Sequence, residues 1–340
     1  MISESASVIA TEILQTFNKI FMVSSSRHYW FFMLCYVLIA WCIYLFARKK
    51  QGNESFAGFL FPAAIYKHPS VWMDLKIWLL LILVLKLGIF PFVFSIISSV
   101  IGLLETATDL LGSQWHVPRS SKTPTFLDRV VYTIVFTLCT DFGFFIIHYC
   151  QHKISWLWAF HKVHHSAAVL TPFTANRHHP VDYIMHASVA FSIQALGYFV
   201  FTRFYGTDID RLLIIQTSAT HFFYYMSANC RHSHIWLGFG PKISRLFVSP
   251  AMHQIHHSIA PQHYDKNFGY VLSIWDWLFR TRYIALKKED ITVGLQAHER
   301  RYSGFPDLML RPFADCLHGI SKFDRWRRRA DRQGPGTKAT

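Results

Sequence analysis

Three short histidine sets limit what this chain can fold into. His148 and His152 stand four residues apart, His161, His164 and His165 follow as H-x-x-H-H, and the same pattern returns at His253, His256 and His257. Residues at i, i+3 and i+4 project from one helical face, so each set presents its imidazoles together from about one turn. Fifteen of the twenty histidines lie between His148 and His263, about a third of the chain. A fold that uses this density must bring the third set back over the first two. Neutral imidazole is the commonest nitrogen ligand for borderline metals. Eight histidines exceed the three or four protein ligands that one ion takes, so two ions are the natural count. His179, His232 and His234 are further candidates, whereas His186 and His221, single histidines in apolar stretches, read as core or interfacial residues.

The apolar stretches place these sets at a membrane. A hydrophobic share of 52% and a mean hydropathy of +0.22 depart from an ordinary soluble globule. Trp30 to Ala47 carry no charge and run directly into Arg48, Lys49 and Lys50, which suits a transmembrane helix with a cytoplasmic C-terminal end. Glu4 and Glu12 precede it where a cleavable signal would be basic. Ile77 to Leu104 is a second apolar tract, interrupted by Lys86 and Pro91, and fits a kinked span or a re-entrant hairpin. The next span, residues 130–147, leads straight into His148, so the first ligands stand at the mouth of a membrane helix. Residues 183–201 and 209–226 form an expected helical hairpin. With Lys50 on the cytoplasmic side, these crossings bring all three histidine sets to that side. Ile9, Ile13, Leu14, Phe17, Ile20 and Phe21 suggest an interfacial amphipathic helix before the first span, and from Ser227 onward no span remains. The expected fold is therefore an all-α integral membrane protein, a multi-pass transmembrane helix bundle with a cytosolic histidine-rich helical cap.

The net charge of +14 gathers at Arg48–Lys50 and Arg325–Arg332, beside an apolar span and near the chain's end. A membrane surface accounts for it, and no nucleic-acid motif competes. The six cysteines are scattered without a CxxC spacing and read as reduced packing residues.

The three histidine boxes, His232-Ser233, and the run D-x-N-F-G-Y-x-L-x-I-W-D-x-L-F from Asp265 to Phe279 resemble the fatty acid hydroxylase and sterol desaturase superfamily over about residues 128–283. The resemblance implies a membrane bundle under a cytosolic cap holding two metals, usually taken as iron, that activate dioxygen at an unactivated C–H bond of a lipid. It marks His148, His152, His161, His164, His165, His253, His256 and His257 as box ligands, with His179 and His232 as further ones. Asp141, two turns before His148, resembles the family's Asp ahead of its first box, expected to orient an imidazole. Asn267, just past the third box, is the other candidate acting beside the metals. Two departures concern substrate preference: Tyr149 stands where the first box commonly has arginine, and Phe279-Arg280-Thr281 replaces F-G-T.

The chain then divides into an interfacial segment (1–29), N-terminal membrane helices (30–127), a fatty acid hydroxylase-like catalytic domain (128–283) and a basic C-terminal tail (284–340). The expected activity is dioxygen-dependent hydroxylation of a lipid (sterol, fatty acyl or related) at a di-iron centre, with zinc able to occupy the site in an isolated sample. Electrons would come from a separate donor of cytochrome or ferredoxin type. A desaturase would use the same site. A membrane zinc-binding or transport protein is the alternative of another class, but transport needs polar groups at mid-span, and the boxes lie at the membrane ends. A metal-dependent hydrolase would want an H-E-x-x-H, which is absent.

Overall fold

The histidine sets sit on the ends of helices whose starts follow from their capping residues. The computed structural model describes residues 29–51, 55–84, 90–112, 123–205 and 226–332, with Gln15, Asn18 and Tyr224 besides. The amphipathic segment expected over 1–29 and most of the hairpin arm expected over 209–226 lie outside the described residues. The main helices are α1 (Trp30–Gln51), α2 (Pro69–Val84), α3 (Phe90–Gly112), α4 (Phe126–Lys153), α5 (Ser155–His165), α6 (Pro180–Tyr205), α7 (Pro250–His256) and α8 (Phe305–Arg332). There is no strand among the described residues, and only two isolated bridges, Phe247 with Leu272 and Ser258 with Val293, pair extended backbone.

The long apolar tract is divided between α2 and α3. Pro91 falls in the first turn of α3, where its missing N–H removes no helical hydrogen bond. Thr125 caps α4 reciprocally with Asp128, accepting from its backbone N–H at 3.3 Å while the Asp128 carboxylate accepts from Thr125 N at 2.8 Å. The 28 residues of α4 extend about 42 Å, some 12 Å beyond a hydrocarbon core of about 30 Å. His148 and His152 stand in the last two turns of α4. Among the described residues, Phe126–Lys153 and Pro180–Phe201 are the two helices long and apolar enough to cross a membrane. They approach closely at Gly143, where an added Cβ would lie 2.6 Å from the Ala190 Cα. Leu34, Leu38, Leu79, Leu83 and Ile134 stand about half exposed on the outward faces of α1, α2 and α4.

A single extended residue, Ile154, separates α4 from α5 and turns the chain so that α5 folds against the end of α4. The cap differs from expectation in two respects. First, residues 232–304 hold only short helices, because buried side chains rather than helical ladders satisfy much of their backbone. Gln254 Nε2 lies within 3.0 Å of the carbonyls of Cys230, Ser233 and Ile235, and Asp276 accepts from Phe268 N and Gly269 N at 2.8 and 2.9 Å. Second, part of the region read as a basic tail is packed structure. The first half of α8 lies along α5, and Leu308 is fully buried with Val163, Ile77 and Leu81. Its buried and half-buried positions, Phe305, Leu308, Met309 and Pro312, recur at helical spacing. A buried ion pair completes the frame. Arg177 Nη1 donates to Asp74 Oδ1 at 2.7 Å, Thr174 Oγ1 donates to Asp74 Oδ2 at 2.6 Å, and Arg177 Nε donates to Val163 O at 3.1 Å, tying α2 to the end of α5.

Candidate metal centre

The boxes divide between two sites rather than each serving one. His148 and His152 from α4, His161 and His165 from α5 and His256 from α7 each offer a ring nitrogen, all within 4.8 Å of one another. His164 from α5, His232 from the loop before α7, His253 from α7 and His257 just after it form the second group on the same criterion. The adjacent pairs His164–His165 and His256–His257 are split between the groups. Consecutive helical residues point about 100° apart, so an H-H pair is suited to face two centres at once.

Hydrogen bonding alone does not satisfy these nitrogens. In the second group, Nε2 of His232 lies 3.1 Å from that of His164, 3.1 Å from that of His257 and 2.9 Å from that of His253, and the His253–His257 separation is 3.2 Å. A neutral imidazole nitrogen either donates or accepts, and a cage of four facing one point calls for a shared cation. A tetrahedral set with edges of about 3.2 Å has its centre about 2.0 Å from each corner, the length of a metal–imidazole bond. In the first group, Nε2 of His148, His152 and His161 is buried without a hydrogen-bond partner, while His165 and His256 meet Nε2 to Nε2 at 3.1 Å. This donor set fits two metal ions.

The outer nitrogens fix the tautomers. His148 Nδ1 lies 2.9 Å from Phe268 O and His256 Nδ1 2.9 Å from Lys266 O. A carbonyl only accepts, so both Nδ1 atoms carry the proton and the Nε2 lone pairs face inward. His161 Nδ1 donates to Asp182 Oδ1 at 3.2 Å with the same result. Burial, reinforced by neighbouring imidazoles, holds His164, His165, His253 and His257 well below the usual histidine range, and lowers His256 to about 3. They are neutral, as ligands must be.

The structure brings together the eight box histidines and His232, and leaves four other candidates aside. His179 lies apart: its Nδ1 accepts from Val181 N at 3.2 Å, its Nε2 donates to Met309 O at 3.0 Å, and its ring packs between Phe160 and Phe313. His234 is 2.7 Å from Phe59 O. Asp141 bonds no imidazole among the described residues. It accepts from Val271 N at 2.7 Å, Leu272 N at 3.0 Å and Trp275 Nε1 at 2.9 Å, and so fastens the strand-like run after the third box to α4. Asn267, in the left-handed region at φ 58°, donates to Met252 O and Tyr283 O and accepts from Tyr283 N, which makes it a tie for α7.

Sequence reasoning missed Asp182. This fully buried carboxylate receives Gln151 Nε2 at 2.6 Å, His178 Nδ1 at 2.5 Å and His161 Nδ1, and lies 3.8 Å from His186 Nε2. His178, the neighbour of the expected His179, stacks on His164 with ring centres 4.4 Å apart. The signal was present as the spacing His178, Asp182, His186, four residues each. A search for paired histidines passes over it because the central member is acidic.

Two cavities meet the histidines from opposite sides. The larger, about 410 Å³, reaches His148, His161, His164, His232 and His253 and continues along Phe144 and Thr140 of α4 and Ala187 and Phe191 of α6. The smaller, about 260 Å³, reaches His152, His165, His256 and His257 through cap residues that include Trp158, Asp265, His263 and Glu299.

Residues 133–281 match the fatty acid hydroxylase family. Human alkylglycerol monooxygenase is 28% identical over 158 residues, which is 46% of this chain and 32% of the relative. The ornithine lipid hydroxylase OlsE of Rhizobium tropici is 27% identical over 174 residues, 51% of this chain and 48% of the relative. A Delta(7)-sterol 5(6)-desaturase of Eremothecium gossypii is 27% identical over 145 residues, 43% of this chain and 35% of the relative. The chain thus spans between about a third and a half of the length of these relatives. No solved structure matches.

Proposed function

We propose, from the match of residues 133–281 to the fatty acid hydroxylase family and the similarity to lipid hydroxylases and a sterol desaturase, that the chain is a membrane-bound, di-metal, dioxygen-dependent oxidoreductase that hydroxylates an unactivated C–H bond of a lipid. The observation that carries the reading is the pair of converging imidazole groups, of five and four histidines, whose ring nitrogens lie within 4.8 Å of one another in each group. His148, His152, His161, His165 and His256 would hold one iron ion, and His164, His232, His253 and His257 the other. Such a pair, when bound, would supply dioxygen activation and the removal of hydrogen from carbon.

The chain's own residues then have distinct tasks. Phe144, Ala187 and Phe191 line a trough that admits an apolar chain from between α4 and α6 to the histidines. Asp182, Phe268 O and Lys266 O hold protons on the outward nitrogens, keeping His161, His148 and His256 in the ligating tautomer. The smaller, more polar cavity on the cap side is the side from which a separate electron donor, of cytochrome or ferredoxin type, would approach. The apolar surfaces of α1, α2 and α4 support a multi-pass arrangement, and the basic run Arg48, Lys49 and Lys50 after the first apolar stretch supports a cap on the cytoplasmic side. We take 128–283 as the catalytic domain, stabilised by the first half of α8.

A desaturase is the second reading, favoured by the similarity to the Eremothecium gossypii sterol desaturase. Reaction of iron-reconstituted protein with a lipid extract, a reductant and ¹⁸O-labelled dioxygen separates the two. Label in the product identifies a hydroxylase, and loss of two hydrogens without label a desaturase. A folded, iron-loaded sample that consumes no dioxygen with a competent donor would rule out both.

A further inference from the structure

Arg231 is buried, at 4% exposure, and lines the larger cavity beside its chain neighbour His232. Its Cζ stands 4.6 Å from the centre of the Tyr224 ring, and Nη2 donates to Val248 O at 3.0 Å. Its Nε is buried without a hydrogen-bond partner, and it forms no ion pair among the described residues. The buried acids Asp141 and Asp276 direct their oxygens at other donors, Asp141 at Val271, Leu272 and Trp275 and Asp276 at Phe268, Gly269 and Thr281. No acidic side chain lines the cavity among the described residues.

Arginine does not lose its proton in a protein, and although the Asp141 carboxylate acts on this charge through space, it bonds other donors, which leaves the buried Nε to be met by what enters the cavity. A guanidinium is the side chain best matched to a carboxylate or phosphate. Away from Arg231 and the histidines the cavity follows successive turns of α4, from His148 through Phe144 to Thr140, a run of about 12 Å. We propose that the cavity takes an acidic lipid head-inward, with its phosphate or carboxylate at Arg231 and its chain along Phe144 and Phe191. The carbon presented to the histidines is then close to the headgroup rather than far along the tail. This inference rests on the lipid-oxidising reading for the identity of the ligand as a substrate, but the binding itself is measured apart from turnover.

The test compares the binding of dodecyl phosphate, of a neutral dodecyl glycerol ether and of inorganic phosphate to the full chain, metal-loaded, in a non-ionic detergent. Dodecyl phosphate is expected to bind at least about tenfold more tightly than the neutral ether. Arg231→Gln should abolish that preference while leaving affinity for the neutral ether, metal content and melting temperature unchanged. Arg231→Lys should retain part of it. Inorganic phosphate should displace dodecyl phosphate only at far higher concentration. Equal affinity for the acidic and neutral amphiphiles in the wild-type protein overturns the proposal without recourse to any variant. So does a preference that survives in Arg231→Gln and disappears on chelation, which would locate the acid on the metals. Inorganic phosphate binding as tightly as dodecyl phosphate would overturn the lipid headgroup in favour of a free anion. If acid-selective binding holds but no oxygen is consumed, the oxidoreductase reading fails and this one stands.

Discussion

His161 donates Nδ1–H to Asp182 Oδ1 across 3.2 Å, joining the second histidine box to the first turn of α6. Both residues are buried. Asp182→Asn keeps the shape of the side chain but weakens the acceptor that holds the ligating tautomer. Metal affinity is expected to fall about 10- to 100-fold, measured by competition with a chromogenic chelator. Unchanged affinity would show that the other ligands alone orient His161.

The division of the H-H pairs makes single substitutions selective. His256→Ala should lower occupancy of the five-histidine group and His257→Ala that of the four-histidine group, each with loss of activity and with membrane insertion intact. Metal analysis of the purified variants checks this. Unchanged stoichiometry in both would contradict the ligand assignment.

The neutral imidazoles set a pH dependence. Histidines in the unfolded chain take up a proton near pH 6.5, whereas burial holds His164, His165, His253 and His257 far lower and His256 at about 3. Between those values the unfolded state binds more protons, so folded stability falls with falling pH, by up to about 1.4 kcal/mol per pH unit for each histidine. Metal-free protein in detergent is expected to melt at a lower temperature at pH 5 than at pH 7.5. A melting temperature that rises on acidification would show that these groups are not held neutral.

Gly143→Leu should separate α4 from α6. Even a Cβ there would lie 2.6 Å from Ala190 Cα and 3.0 Å from Ala190 O, both backbone atoms that cannot step aside. A loss of about 1–3 kcal/mol is expected for such overpacking, read as a lowered midpoint in thermal unfolding. A variant with wild-type stability would mean that the two helices are not held at this spacing.

Asp141→Ala should behave as a structural lesion. It strands the N–H groups of Val271, Leu272 and Trp275, at about 1–3 kcal/mol for each buried donor left unmet. Thermal stability is expected to drop more than metal affinity does. The reverse order would restore Asp141 to the imidazole-orienting role.

The sequence by itself determined the class of chemistry, because the i, i+3 and i+4 spacing needs only a helix to align imidazoles, and helices are local. His148 with His152, and the two H-x-x-H-H boxes, were therefore legible, as were the long apolar helices α4 and α6. Long-range folding decided which histidines face one another. His164 joins His253 and His257, and His165 joins His256, because α7 folds back across α5, which no spacing within either box encodes. The same distance in sequence hid the true positions of His179, drawn to the Met309 carbonyl of α8, and of Asp141, used to hold residues 271–275. It also hid Asp182 and Arg231. Their spacing or position could be read, but their burial, and for Arg231 the lack of a directly bonded carboxylate among the described residues, exists only after the cap closes over the bundle and removes water from both.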